Sequence, residues 1–275
     1  MGTGDGGSTG ADLLPPVVLT IAGTDSGGGA GIAADLKTFT ALGVFGTLVV
    51  TAVTAQNTQA VTGVEVMTPE FVEAQLDAVF ADFAVAAAKT GMLATTGNIE
   101  VVAARAARGE MAWLVVDPVM VASSGSPLVA GDAAAAYRRL LPYASIVTPN
   151  LAEAEVLLGR RVRDEEEMAE AARRLCHLGA GAALVKGGHG GGKDAADVLC
   201  YEGELTWLRA PWVATRNVHG TGCTLSAALT AYLAKGLGVG NAAAAAKRFV
   251  TTSLECSASA GLGHGAGPLH RLGPG

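Results

Sequence analysis

Short β-branched runs alternate with longer Ala- and Leu-rich segments of helical spacing along almost the whole chain, and that alternation limits the fold more than any other feature. Strands are predicted at residues 16–23, 46–55, 62–67, 83–90, 112–118, 144–150, 182–188, 196–203 and 205–210. Helices are predicted at 30–42, 69–82, 96–109, 131–141, 151–158, 165–178, 220–235 and 240–258. Strands that take turns with helices predict an α/β fold, a mostly parallel central sheet with helices on both faces in three layers. Runs such as LVVD suit strands buried on both sides. The last two strand segments, joined at Gly203-Glu204, read instead as an antiparallel hairpin. No composition break or internal repeat divides the chain. The expected organisation is a disordered Gly/Ser/Thr-rich leader over 1–16, a single domain over 17–258 and a loose Gly-rich tail over 259–275.

In a sheet of this kind, ligands gather beyond the carboxyl ends of the strands. Six loops punctuate that rim: AGTDSGGGAG, TAQNT, KTGM, DPVM, TPN and KGG. They converge on one cleft. A net charge of -6 without a basic cluster argues against nucleic acid or an anionic membrane as partner. No apolar run approaches a bilayer span, and the first sixteen residues lack the basic start and apolar stretch of a signal peptide. A cytoplasmic protein acting on a small molecule is expected. The four cysteines, Cys176, Cys200, Cys223 and Cys256, form no C-x-x-C pair and are expected to be reduced thiols.

Three glycine-rich stretches compete to be an anion loop. GTDSGGGAG (23–31) follows a strand and opens a helix but holds no G-x-G-x-x-G. GGHGGGK (187–193) fits the spacing of a P-loop, yet Asp194 stands where Ser or Thr should bind magnesium, and a strand pattern follows. HGTGCTLSAALTAYLA (219–234) is different. Gly220 and Gly222 let backbone N–H groups turn inward, and the helix after them offers its free amides and positive dipole end. The bland reading is a helix start capped by Thr221. A charge developing there would meet donors already oriented, and Cys223 at the helix mouth is expected to have a lowered pKa and to stand as a thiolate at neutral pH. That would let it accept a proton from a hydroxyl.

Two further rim elements matter. Asn150 and Glu153, three apart at a helix entrance, can organise hydrated magnesium or simply form a capping box. Lys186 ends a buried strand before two glycines, and a phosphate or a structural carboxylate would satisfy it.

Taken in order, TIAGTDSGGGAGIAADLKT, VVTAVTAQNT, KTGML, VVDPVM, TPNLAEAE, ALVKGGH and HGTGCTLSAA resemble the ribokinase-like small-molecule kinases, and within them the hydroxymethylpyrimidine/phosphomethylpyrimidine kinases. The resemblance covers residues 17–258. It implies a ribokinase-like α/β/α sandwich, ATP and Mg2+ as cofactors, and a small-molecule substrate, 4-amino-5-hydroxymethyl-2-methylpyrimidine and then its monophosphate. A homodimer is expected. Position by position, Cys223 stands where most ribokinase-like members carry the Asp that takes the substrate proton, with Gly220, Thr221 and Gly222 forming the anion nest. Gln56 falls on the pyrimidine-binding glutamine, whose carboxamide both donates and accepts. Gly23, Asp35 and Met92 resemble the rest of that pocket, although a tight turn, a helix-face charge and a core filler explain them equally. Asn150 and Glu153 match the N-x-x-E motif for magnesium and phosphates, and Asp117 and Lys186 match positions near the nucleotide phosphates. The stretch 188–197 departs from the family by its glycine content. A pyridoxal kinase of the same fold is the nearest alternative; a non-catalytic pyrimidine-binding regulatory protein is the alternative from another class.

Overall fold

A computed structural model describes residues 14–120, 132–188, 194–270 and 272. The N-terminal residues 1–13 of the expected leader, and residues 189–193 of the second glycine-rich stretch, lie outside them. Among the described residues, nine strands form one sheet: β1 (Val17–Gly23), β2 (Phe45–Gln56), β3 (Val61–Val66), β4 (Val85–Thr90), β5 (Leu114–Val116), β6 (Ile146–Val147), β7 (Ala182–Lys186), β8 (Asp194–Tyr201) and β9 (Glu204–Pro211). Their order is β3-β2-β1-β4-β5-β6-β7-β8-β9. The six strands from β2 to β7 in that order run parallel. β8 and β9 form the expected antiparallel hairpin, which pairs antiparallel to β7. The other edge adds a feature that alternation alone does not reveal, because β3 folds back antiparallel on β2.

Among the described residues, eight α-helices cover the sheet: α1 (Gly31–Ala41), α2 (Pro69–Asp82), α3 (Thr96–Ala107), α4 (Ala133–Leu140), α5 (Leu151–Leu158), α6 (Glu165–His177), α7 (Thr221–Ala234) and α8 (Val239–Ser257). α1, α7 and α8 pack on one face around Val18, Phe39, Val115, Leu184, Leu229 and Phe249. The helices α2 to α6 pack on the other around Ile21, Leu76, Leu114, Tyr137 and Leu175. Consecutive residues such as Leu114, Val115 and Val116 therefore face opposite cores and are all buried, as a strand covered on both sides requires.

Helix starts follow local chemistry. Thr68, Thr95, Asp132, Asn150 and Asp164 cap α2 to α6 through their side chains. α1 and α7 begin without a side chain in the N-cap position that does so, and both point at the cleft. The strand order reverses between β1 and β4, which places the loops after them at the topological switch point.

The segment expected to be a loose tail is ordered where it is described. The Gly265 amide donates to Thr58 Oγ1 at 3.1 Å, the Gly267 amide to Arg216 O at 3.2 Å, and Pro268 bridges to His219 in parallel register. Its glycine content, which reads as slack, serves close approach instead. Among the described residues no helix is long and apolar enough to cross a membrane.

Candidate active site

The entrance of α7 is held open by backbone shape. Gly220 has φ +81°, and a Cβ there would lie 1.9 Å from the Gly29 carbonyl oxygen, so this turn packs directly on the loop after β1. Thr221 does not cap the helix: its hydroxyl donates to Val218 O at 3.0 Å, and its amide to the same carbonyl. That corrects both expectations for Thr221, since its amide is already engaged. The amides of Gly222 and Cys223 remain in the first turn, where a helix has no internal acceptor for them. A Cβ on Gly222 would lie 3.4 Å from Lys186 Nζ, which places the nest beside a cation.

That cation belongs to a buried cluster. Lys186 Nζ sits 2.9 Å from Asp117 Oδ1 and 4.0 Å from Glu153 Oε2. Asp117 also accepts from Thr148 Oγ1 and Ser226 Oγ, both at 3.2 Å. Burial works against the Lys186 charge, but Asp117 and Glu153 outweigh it and hold the ammonium well above its ordinary range. One lysine between two carboxylates leaves Glu153 the worse served. Burial, reinforced by the Asp117 charge, pushes its carboxyl up to about 7 despite Lys186.

Asn150 and Glu153 form a reciprocal capping box: Asn150 Oδ1 accepts from the Glu153 amide at 2.9 Å, and Glu153 Oε2 from the Asn150 amide at 2.8 Å. The capping-box reading of this pair holds, and the cap leaves Glu153 beside Lys186. Folded Glu153 keeps its proton to a higher pH than the unfolded chain does, so stability falls as pH rises between about 4.5 and about 7 and is level above. Glu153→Gln keeps the cap and removes the ionisation. We expect it to be more stable than the wild type at pH 8, on the order of 2 kcal/mol, with the gain lost by pH 4. Urea unfolding at both pH values checks this; a pH-independent difference contradicts it.

Cys223 is half-buried at the mouth of α7. Burial pushes its thiol up to about 11, against the pull of Lys89 and the Gly31 amide, while the carboxylates of Asp35 and Asp117 push the same way as burial. The expected thiolate is thus corrected. A helix N-terminus alone lowers a thiol pKa, but here loss of water and two nearby carboxylates win.

Lys89, which the residue reading passed over, is fully buried in an ion pair. Its Nζ lies 3.0 Å from both oxygens of Asp35, and Thr20 Oγ1 donates to the same carboxylate at 2.6 Å. Burial opposes the Lys89 charge, but the carboxylates of Asp35 and Asp117 hold the ammonium above its ordinary value. Asp35 is itself fully buried, so it anchors Lys89 rather than lining open space. That corrects its placement as a substrate contact. Gly31 and Asp35 lie one turn apart on one face of α1, with Cys223 over the first and Lys89 on the second. The signal was available: a lysine inside AVAAAKT is as costly to bury alone as Lys186.

The remaining predicted residues divide into two groups. Gly23 and Met92 pack on each other, a Cβ on Gly23 being 2.2 Å from Met92 Cε, and Met92 is buried with Ala52 and Ala94. Gln56, at the end of β2, is fixed through its backbone, whose amide and carbonyl both pair with Ser26 Oγ at 2.8 and 2.7 Å. Its Oε1 accepts from Thr54 Oγ1 at 3.3 Å, and its side chain borders a cavity of about 350 Å3. Asp25 and His219 were also missed as individuals. His219 Nε2 lies 2.8 Å from Asp25 Oδ2, and that carboxylate also accepts the amides of Gly27, Gly29 and Ala30. The pair locks the loop after β1 to the nest.

The family described as phosphomethylpyrimidine kinase matches residues 25–270. A hydroxymethylpyrimidine/phosphomethylpyrimidine kinase of Rhizobium meliloti is 51% identical over 94% of this chain and 98% of that protein. The crystal structure of a phosphomethylpyrimidine kinase from Clostridium difficile matches with TM-score 0.77 and 38% identity, over 87% of this chain and 99% of the other. An ADP complex of Bacillus subtilis pyridoxal kinase matches with TM-score 0.81 and 39% identity, over 88% and 92%. With the matched residues running from the loop of Asp25 through the nest of Cys223 and on to His270, this ribokinase-like chain belongs to the phosphomethylpyrimidine kinase family.

Proposed function

We propose that the chain is an ATP-dependent kinase that phosphorylates 4-amino-5-hydroxymethyl-2-methylpyrimidine, and then the monophosphate to the pyrophosphate, in thiamine biosynthesis. The observation that carries this is the convergence of an open helix entrance, Cys223 and the Lys186–Asp117–Glu153 cluster on one point. In the first step the hydroxymethyl oxygen forms a bond to the γ-phosphorus of ATP, the bond from that phosphorus to the β,γ-bridging oxygen breaks, and ADP leaves. The thiolate form of Cys223, a minority at neutral pH because burial pushes the thiol up to about 11, receives the hydroxyl proton. The amides of Gly222 and Cys223 and the Lys186 ammonium stabilise the transferred group, and Gln56 orients the ring. Such transfers depend on positioning and charge stabilisation more than on covalent chemistry.

Magnesium fits the donors present. Among the described residues no group of three or more His, Cys, Asp or Glu side chains is placed to hold a metal. Mg2+ keeps most of its waters and takes one or two carboxylates with substrate phosphates, which Glu153 and Asp117 can supply. When bound it would neutralise phosphate charge.

A second reading is favoured by one observation, the match to the Bacillus subtilis pyridoxal kinase at 39% identity. ATP consumption with each alcohol in parallel separates the two. We expect the aminopyrimidine alcohol to be the better substrate in kcat/KM; a preference for pyridoxal would replace the primary reading. We further read the protein as a homodimer, on the exposed apolar side chains Leu48, Val53, Val64 and Val66 of the β2–β3 edge. Sedimentation equilibrium should give twice the 27.4 kDa chain mass, and the single chain mass contradicts it.

A further inference from the structure

The C-terminal segment runs back from α8 across the cleft and touches three parts of it. Gly265 donates its amide to Thr58 Oγ1, and a Cβ on Gly265 would lie 1.9 Å from Thr58 O. Gly267 donates to Arg216 O at 3.2 Å and accepts from the His219 amide at 3.0 Å. Pro268 bridges to His219 and packs on the loop after β1, where a Cβ on Gly29 would lie 2.7 Å from Pro268 Cβ. Asn217 Nδ2 holds the start of the segment, donating to Ser257 O at 2.6 Å and Ala260 O at 2.9 Å. The buried side chain of Leu269 secures its far end. A slack tail makes none of these contacts.

The strap also bounds a cavity. About 350 Å3 of space is lined by Gln56, Thr58, Val61, His219, Gly265 and Ala266, among others. That is within the range of small-molecule sites, and larger than one small heteroaromatic ring needs. Two of those residues are small and belong to the strap, while Gln56 belongs to the sheet.

We propose that residues 261–270 form the outer wall of the acceptor pocket, with Ala266 setting how large a ring fits and Gly265 holding the wall against Thr58. The inference rests on the functional reading above and adds a specificity-determining segment to it. Wall contacts act on the acceptor and not on ATP, whose candidate contacts, Lys186 and Asp117, lie among other residues. A bulky side chain at position 266 therefore occupies space that the ring would take, without touching the proton acceptor.

The test uses the full chain. Ala266→Phe is expected to raise KM for the pyrimidine alcohol about tenfold or more, with KM for ATP and the melting temperature unchanged. Ala266→Val moves the same KM by less, and Gly265→Ala raises it by pushing the wall off Thr58. An unchanged alcohol KM in Ala266→Phe, or an equal rise in the KM for ATP, overturns the proposal. If Ala266→Phe does not fold, Ala266→Val decides by the same two KM values. A wild-type enzyme that turns over no pyrimidine alcohol ends the functional reading and the proposal together, whereas normal wild-type turnover with insensitive variants ends only the proposal.

Discussion

Cys223→Ala lowers phosphorylation of the pyrimidine alcohol by about two to four orders of magnitude, the usual worth of a positioned general base, and lowers phosphorylation of the monophosphate far less. The difference follows from the acceptors. A hydroxymethyl group must lose its proton as the O–P bond forms, whereas a phosphate monoester is largely deprotonated near neutrality. Because burial pushes the Cys223 thiol up to about 11, the base form is scarce in the free enzyme at neutral pH. Between pH 8 and 10, where Glu153 is already ionised, kcat/KM for the alcohol should therefore climb about tenfold per pH unit. The same plot for the monophosphate should be much flatter. Separate single-turnover assays of the two steps give both results. Equal losses in the two steps, or an alcohol profile that is flat across this range, remove Cys223 from the role of proton acceptor and leave the nest as the sole contribution of that loop.

Lys89→Met destabilises the fold by about 3–5 kcal/mol, because it leaves the Asp35 carboxylate buried without its counter-charge. Both partners are fully buried, and the Thr20 hydroxyl reinforces the pair. The double variant Lys89→Met/Asp35→Leu should recover most of that loss, since two apolar side chains of similar volume carry no uncompensated charge. Recovery of stability does not imply recovery of chemistry. The Lys89 ammonium is the main group drawing the Cys223 thiol downward and Asp35 pushes it upward, so Lys89→Met should alkylate more slowly with iodoacetamide at pH 9 than the wild type, and the double variant by a smaller margin. Urea unfolding and the alkylation rate together separate the two roles. A loss below about 1 kcal/mol for Lys89→Met would mean that water reaches the pair; unchanged alkylation would mean that Lys89 is structural only.

The fold was legible because one signal repeats. Short β-branched runs mark strands such as β1 and β2, and helices begin at a side-chain cap or a glycine, so α2 (Pro69–Asp82) and α5 (Leu151–Leu158) fall where spacing predicts them. The short observed spans of β5 and β6 show the limit. Their sequence runs are longer because the rim residues Asp117, Thr148 and Asn150 continue in the strand direction to build the site. Composition misled at the C-terminus, where glycine signals slack when read alone but close packing on Thr58 and Asn217 in the structure. Within the site, the glycine start of α7 and the pairing of Lys186 with a carboxylate were readable from glycine placement and the cost of burying a lone lysine. The state of Cys223 was not, because its pKa depends on Asp35, Lys89 and Asp117, which meet it only after α1, β4 and β5 have been brought together around α7. The His219–Asp25 lock spans 194 residues and leaves no local trace in the sequence.

The most direct test of the functional claim is phosphorus NMR of a reaction containing the protein, ATP, magnesium and 4-amino-5-hydroxymethyl-2-methylpyrimidine, followed over time. The account predicts a phosphomonoester resonance that appears first and then gives way to the paired resonances of a pyrophosphate ester, with ADP formed at each stage. ATP signals that persist unchanged, or ADP formation without any phosphorylated pyrimidine, would contradict it.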